Sequence, residues 1–470
     1  MNLPDLETLR SEISTLDPVQ SVGRVIAVEG NMIQVAGISA SARLGDRVRI
    51  VGKSANSVSG EVIRLSAKIA SVLPDVAPVG ISINDRVALG RAGHIRPADH
   101  WLGRIIDPNG RPMDDRPLSP GAGSRALQSM PPAPARRRPL GQRLETGMAV
   151  FNTMLPIVQG QRIGLFAGSG VGKSSLLGHL GRSMTADVVV FALIGERGRE
   201  LLEFAKTGLG DEGMKRAVII AATSDQSPLD RRRCAWTAMC VAEHFRDQGK
   251  QVLFLADSMT RFAEAHREVA VAAGELPTLR GFPASTAHML MSLCERAGPG
   301  EQGQGDITAI LSVLVAGSDM EEPISDILRG VLDGHVVLDR TIAERGRFPA
   351  IDLLKSVSRS LPSAASDTEN ALILRARSLL GTYARSETMI RAGLYAEGSD
   401  PEMDKAIGAW PDLDAFLAEK ETNATKDSFD RLGLILRRAE HTSGPIASAK
   451  VRPDTQNRER SLGSTGVKYS

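Results

Sequence analysis

Gly164-Leu165-Phe166-Ala167-Gly168-Ser169-Gly170-Val171-Gly172-Lys173-Ser174-Ser175 is the stretch that decides the fold. The apolar run from Ile163 to Phe166 reads as a strand, and Ser175-Leu176-Leu177-Gly178-His179-Leu180 reads as a helix. Between them lie a glycine-rich turn, a lysine and a hydroxyl, the parts of a nucleotide phosphate cradle. The glycines let the backbone wrap a phosphate with its N–H groups inward. Gly168, Ser169, Gly170, Val171, Gly172 and Ser175 are therefore expected at the nucleotide. The helix N-terminus adds a partial positive charge. Lys173 can reach the β- and γ-phosphates of ATP, and the Ser174 hydroxyl can ligate Mg2+. Ala167 stands where the strict pattern has glycine, a small departure at the strand exit.

Working outward, Val252-Leu253-Phe254-Leu255-Ala256-Asp257 is an apolar strand ending in a carboxylate, about 85 residues after the cradle. In a phosphate-loop fold such an aspartate holds magnesium. The next residue is Ser258 and not Glu, so the carboxylate that orients the attacking water is not adjacent. Val188 to Ile194 reads as a strand and leads into Gly195-Glu196-Arg197-Gly198-Arg199-Glu200. This is the next strand after the cradle helix, so its C-terminal end can open beside the γ-phosphate. Glu196 could there polarise a water for in-line attack, with Arg197 positioning Glu196 or the phosphate. The alternative is a surface charge cluster at a helix start. Phosphoryl transfer also needs positive charge on the equatorial oxygens. Arg261 could supply it in cis. Arg359, in Ser356-Val357-Ser358-Arg359, lies where a subunit interface could present it in trans.

The chain has 470 residues and a net charge of +2, long enough for two to four domains and with no global field favouring nucleic acid or an acidic membrane. Arg136-Arg137-Arg138 and Arg231-Arg232-Arg233 read as solvated faces. The cysteines Cys234, Cys240 and Cys294 have neither metal-ligand spacing nor a disulfide pattern, which suggests a reducing compartment. No apolar stretch approaches the ~20 residues that span a bilayer, and no secretory signal is seen, so the cytoplasm is expected.

The expected fold is α/β: a small N-terminal β-barrel, a central RecA-like P-loop domain with a mostly parallel sheet, and a C-terminal helical domain. Residues 1–19 carry Leu3, Leu6, Leu9, Ile13 and Leu16 at helical spacing. They read either as a partner-docking helix or as one packed on its own domain. Residues 20–92 hold five short β runs, 22–28, 32–35, 46–51, 60–65 and 85–89. The segment has no Trp, Tyr or Phe for bases to stack on, which favours a structural role over oligonucleotide binding. The ATPase domain is placed at 93–365, its first part to residue 145 a Pro- and Gly-rich connection that punctuates rather than builds. Its strands are expected at Ile163–Phe166, Val188–Ile194, Ala217–Ala221, Val252–Ala256 and Ile307–Val315. Residues 366–441 suggest helices at 371–380, 387–392, 401–407, 413–418 and 429–436. The tail, 442–470, is polar and expected to be disordered.

Together the cradle, the Glu196 segment and Asp257-Ser258-Met259-Thr260-Arg261-Phe262 resemble the catalytic subunits of rotary ATP synthases. Gly274-Glu275-Leu276-Pro277-Thr278 with Gly281-Phe282-Pro283-Ala284-Ser285, and Ala392-Gly393-Leu394-Tyr395 with Gly398-Ser399-Asp400-Pro401, look like the flagellar and type III secretion export ATPases, the flagellar branch in particular. The resemblance runs from about residue 20 to 440 and has several implications. Lys173 and Ser174 would bind phosphate and magnesium. Glu196 would be the general base, with Arg197 its neighbour, and Asp257 a magnesium ligand through water. Arg261 would contact the γ-phosphate region, and Arg359 matches a finger that crosses to the next subunit. Phe348, in Arg347-Phe348-Pro349-Ala350, matches a ring that stacks on adenine; without the resemblance it reads as a core aromatic. Many relatives have Tyr there, and Phe keeps the stacking face. No acidic loop like that of the synthase β subunit is present in the C-terminal helices, and the tail matches nothing.

The resemblance implies a Mg2+-dependent ATPase working as a homohexamer. Its expected partners are a stator-like regulatory protein at the N-terminal segment, the membrane export gate, and export chaperones and substrates. It would sit peripherally at the inner membrane. No nucleic acid is expected. The rivals are a virulence-type secretion ATPase, a ring-shaped RNA translocase, and a non-catalytic ring subunit, against which Glu196 argues.

Overall fold

The computed structural model describes residues 20–52, 57–315, 320–421 and 424–441. The proposed N-terminal helix within 1–19 and the tail 442–470 lie outside the described residues.

Residues 22–92 close into an antiparallel barrel of six strands: Val22–Glu29, Met32–Ala36, Ile69–Pro74, Ser57–Leu65, Asp46–Val51 and Arg86–Ala92, in spatial order. Alternation drives it. Asp46–Val51 buries every second residue, with Val48 and Ile50 inside. The barrel core is wholly aliphatic, built on Val25, Ile33, Val35, Val62, Val72 and Val87 among others. Ile69–Pro74 is the strand missing from the sequence expectation. Its Ala70, Ser71 and Pro74 carry little β signal, and the pairing with Met32–Ala36 and Ser57–Leu65 decides its state instead.

The central sheet runs Ile351–Ser358, Gly334–Leu338, Arg162–Ala167, Asp306–Leu314, Val252–Asp257, Val188–Glu196, Ala217–Thr223, Arg104–Ile106. Every neighbouring pair on this path is parallel except Ile351–Ser358 with Gly334–Leu338. All five expected strands are present. Three others on this path, and Gly298–Pro299 paired antiparallel to Asp306–Leu314 off it, were not expected. Arg104–Ile106, inside the supposed connection, pairs with Ala217–Thr223 as an edge strand, and Ile106 is fully buried.

Both sheet faces are apolar, as helices on each side require. Val189, Phe191 and Leu193 join one core while Val188, Val190, Ala192 and Ile194 join the other. The first core also holds Leu176 and Leu180 of the cradle helix and Ile373, Leu413 and Leu432 of the C-terminal helices. The C-terminal bundle is thus continuous with the face of the sheet that carries the cradle helix. The five expected helical segments merge into three helices, Asp367–Arg391, Pro401–Phe416 and Thr425–His441. Pro411 sits inside the second.

Apart from Arg136, which is exposed, the arginine runs are not solvated faces. Arg232 and Arg233 on the helix Pro228–Asp247 are buried. Each donates to one oxygen of barrel residue Glu61, at 2.7 and 2.9 Å. Arg137 donates to the Ala297 carbonyl at 3.1 Å, and Arg138 pairs with buried Asp306. In both places the arginines clamp chain segments whose carbonyls and carboxylates would otherwise be buried without partners.

Candidate functional site

The turn after Arg162–Ala167 needs glycine twice: Gly170 and Gly172 have φ of 77° and 84°. A side chain at Gly172 would also meet the Phe348 ring, 3.1 Å from the added Cβ. The helix Lys173–Ser183 starts there, placing Lys173, Ser174 and Ser175 in its first turn.

Asp257 closes its strand almost fully buried. It accepts the Lys173 ammonium and, at 2.7 Å, the Ser312 hydroxyl. Glu196 arrives by a different route than strand order suggested. The strands Asp306–Leu314 and Val252–Asp257 lie between the cradle strand and Val188–Glu196. Leu193 pairs with Asp257, so the Glu196 strand runs on past that level. Gly195, with φ of 72°, turns the chain there, and a Cβ added to it would lie 3.4 Å from the Arg261 side chain.

Ser174, Ser175, Glu196 and Asp257 line one cavity of about 420 Å³, with Arg182, Glu200, Glu203 and Thr207 also on its wall. Burial pushes the Glu196 carboxyl up to about 7, and the nearby Asp257 charge adds to this while Lys173 opposes it. Such a group ionises near the working pH of a general base.

The Arg261 guanidinium binds Glu264 at 2.8 Å, and its charge acts on Glu196. Arg197 is different: it is exposed and reaches Glu200 at 3.4 Å, on the rim and not at the cavity wall. Phe348 is neither a core aromatic nor remote. It is 53% exposed and lies against the cradle. Arg359 lies at the opposite end of the sheet. Its N–H donates to the Asp333 carbonyl at 3.0 Å, and the Asp333 carboxylate accepts from Arg162 N at 3.0 Å. Arg162 begins the cradle strand, and that six-residue strand separates Arg359 from the phosphate loop by about 20 Å. Within one chain Arg359 cannot reach the site.

Sequence reasoning missed Ser312, Glu200 and Glu203. A lone hydroxyl in the apolar run Ile307–Val315 was the available signal for Ser312.

The donor set fits magnesium: a hydroxyl and a carboxylate oxygen facing one cavity are hard ligands. Among the described residues no group of three or more His, Cys, Asp or Glu could hold a metal ion.

Residues 147–358 match the ATP synthase alpha/beta family, nucleotide-binding domain, and residues 365–432 match the T3SS EscN ATPase C-terminal domain. The flagellum-specific ATP synthase of Caulobacter vibrioides is 42% identical over 92% of this chain and 99% of its own length. The chain belongs to the flagellar and type III secretion ATPase family. That of Salmonella typhimurium is 46% identical, covering 71% of this chain and 74% of the relative. Among solved structures, assembled EscN from enteropathogenic E. coli superposes with a TM-score of 0.81 at 38% identity, covering 88% of this chain and all of that one. As a family member the chain is a P-loop enzyme that binds and hydrolyses ATP. Among the described residues no helix is long and apolar enough to cross a membrane.

Proposed function

We propose that this export ATPase hydrolyses ATP with Mg2+ in a homohexameric ring at the flagellar export apparatus. The observation that carries the reading is Glu196, a carboxyl poised near neutrality in the cavity that also holds Ser174 and Asp257.

In this reading the amides of Gly168 to Ser174 and the Lys173 ammonium bind the phosphates. Lys173 then exchanges its contact with Asp257 for the γ-phosphate. Ser174 and, through water, Asp257 would hold Mg2+, which would supply neutralisation of developing phosphate charge. Glu196 takes the proton of the attacking water, and Arg261 holds charge beside it. Arg197 steadies the rim through Glu200. Phe348 offers its exposed face to adenine. Arg359 completes the site of the adjacent subunit. Its distance from its own phosphate loop supports action in trans, as does the assembled state of the EscN relative.

A relative, EscN, has been solved with its central stalk EscO, and a comparable stalk partner is proposed here. A regulatory protein at residues 1–19, the export gate, chaperones and substrates complete the proposed partners, at the cytoplasmic side of the inner membrane. The flagellar assignment predicts that loss of this chain abolishes swimming.

Mixing two inactive variants tests the ring. Lys173→Ala loses phosphate binding in its own site, and Arg359→Ala loses the finger offered to a neighbour. A mixture should regain hydrolysis, because some interfaces then pair an intact cradle with an intact finger. A mixture as inactive as its parts would overturn the trans assignment.

A further inference from the structure

The turn that carries Phe348 is gripped from its other side. Arg347 is buried and folds back on its own loop: Nη1 donates to the Pro349 carbonyl at 3.2 Å and Nη2 to the Ile351 carbonyl at 2.7 Å. Its Nε lies 3.0 Å from Asp414 Oδ1, an ion pair without a hydrogen bond. The same oxygen accepts from Arg345 Nη2 at 2.6 Å. Asp414 comes from the last turn of the C-terminal helix Pro401–Phe416. Arg345 also covers Trp410, 5.3 Å from the ring centroid, and Trp410 stacks on Tyr383 at 4.7 Å. Gly346, with φ of 86°, makes the bend that brings both arginines to one carboxylate.

Helix chemistry does not account for Asp414. A carboxylate in a C-terminal turn faces the negative end of the helix dipole, and this helix has no basic residue in that turn to offset it. The two guanidinium groups do. Burial lowers the Arg347 pKa, and Asp414 opposes that shift. Neighbouring side chains of the turn thus face different partners: Arg347 the C-terminal helix, Phe348 the phosphate loop.

We propose that Asp414 is a positioning residue for the nucleotide base. By holding Arg345 and Arg347 it fixes the seat of Phe348, and it ties the C-terminal helices to base recognition. This rests on the reading of Phe348 as the adenine-stacking ring. An ion pair across two elements is also a plain structural tie, so the test must respond to the base and not only to the fold.

The purified full chain carrying Asp414→Asn is titrated with Mg-ATP and with Mg-tripolyphosphate, which has no base. ATP binding should weaken about fivefold to tenfold while tripolyphosphate binding stays within about twofold. KM for ATP should rise with kcat little changed, and Asp414→Glu should recover most of the loss. Unchanged ATP affinity, or equal loss for both ligands, overturns the proposal. Should Asp414→Asn not fold, Arg345→Gln removes one of the two contacts from an exposed position and must show the same selectivity for ATP; its failure to do so overturns the proposal equally. Phe348→Ala separates the two layers. If it too binds both ligands normally, the stacking reading falls. If it loses ATP alone while Asp414→Asn loses nothing, only the positioning role falls.

Discussion

Two clusters of buried charge organise this chain, and they are built on opposite plans. At the barrel junction Arg232 and Arg233 each take one oxygen of Glu61, with all three side chains packed out of solvent. At the nucleotide end of the sheet Lys173 and Asp257 are paired, yet Glu196 stands beside them on the wall of an open cavity, its pKa raised by burial and then by Asp257 and Glu200. The first arrangement shares one carboxylate between two guanidinium groups, leaves each Nε without a hydrogen-bond partner, and ties the barrel to the helix Pro228–Asp247. The second keeps a surplus of negative charge and room for a ligand. Buried charge alone does not mark chemistry; an acid held at a raised pKa in the same cavity as the phosphate-loop hydroxyls is a candidate for it.

The largest effect expected lies at neither cluster. Arg359→Ala should lower hydrolysis by about 10³–10⁵-fold while ATP still binds, since a finger acts on transition-state charge. Normal turnover would remove the interface site.

The contrast itself breaks if Glu61→Gln is harmless. Removing the one carboxylate leaves two arginines buried, a change that costs about 3–5 kcal/mol. Thermal unfolding should shift down strongly while turnover per folded molecule persists. A drop in activity with no loss of stability would mean that this cluster, too, belongs to the chemistry.

Acidity sharpens the comparison. A carboxyl whose folded pKa is raised binds its proton more tightly in the folded state. Glu196 should therefore cost stability progressively as pH rises from about 4.5 to about 7. Over the same range kcat/KM should climb as the base ionises, by about tenfold per pH unit below its pKa. A flat profile across this window would contradict the assignment. It follows that Glu196→Gln should raise thermal stability above pH 7, by on the order of 1 kcal/mol once solvent screening is allowed for. Loss at Glu61 and gain at Glu196 would be opposite signs from superficially similar residues.

The smallest change expected is at the base site. Phe348→Tyr keeps the ring, so ATP affinity should stay within about twofold. A large change would point to a confined ring edge in place of an open stacking face.

Much of this was legible in the sequence because its strongest signals are local. The glycine spacing before Lys173, the apolar strand ending in Asp257 and the run into Glu196 each declare themselves within a dozen residues. What escaped depends on pairing at a distance. Ile69–Pro74 and Arg104–Ile106 are strands because neighbours offer them edges, not because Ala70, Ser71 or Arg104 favour one. Arg232 and Arg233 looked like a solvated run because Glu61 is far away in the chain. Asp414 carried no sequence signal at all, as its meaning comes from Arg345 and Arg347 across a turn.

Hydrolysis in this site depends on the carboxyl at 196. Glu196→Gln is the direct test, with ATP binding and steady-state hydrolysis measured on the same preparation. Binding should match the unaltered chain, and hydrolysis should fall by about 10²–10⁴-fold. Hydrolysis that survives at a comparable rate would show that another group activates the water.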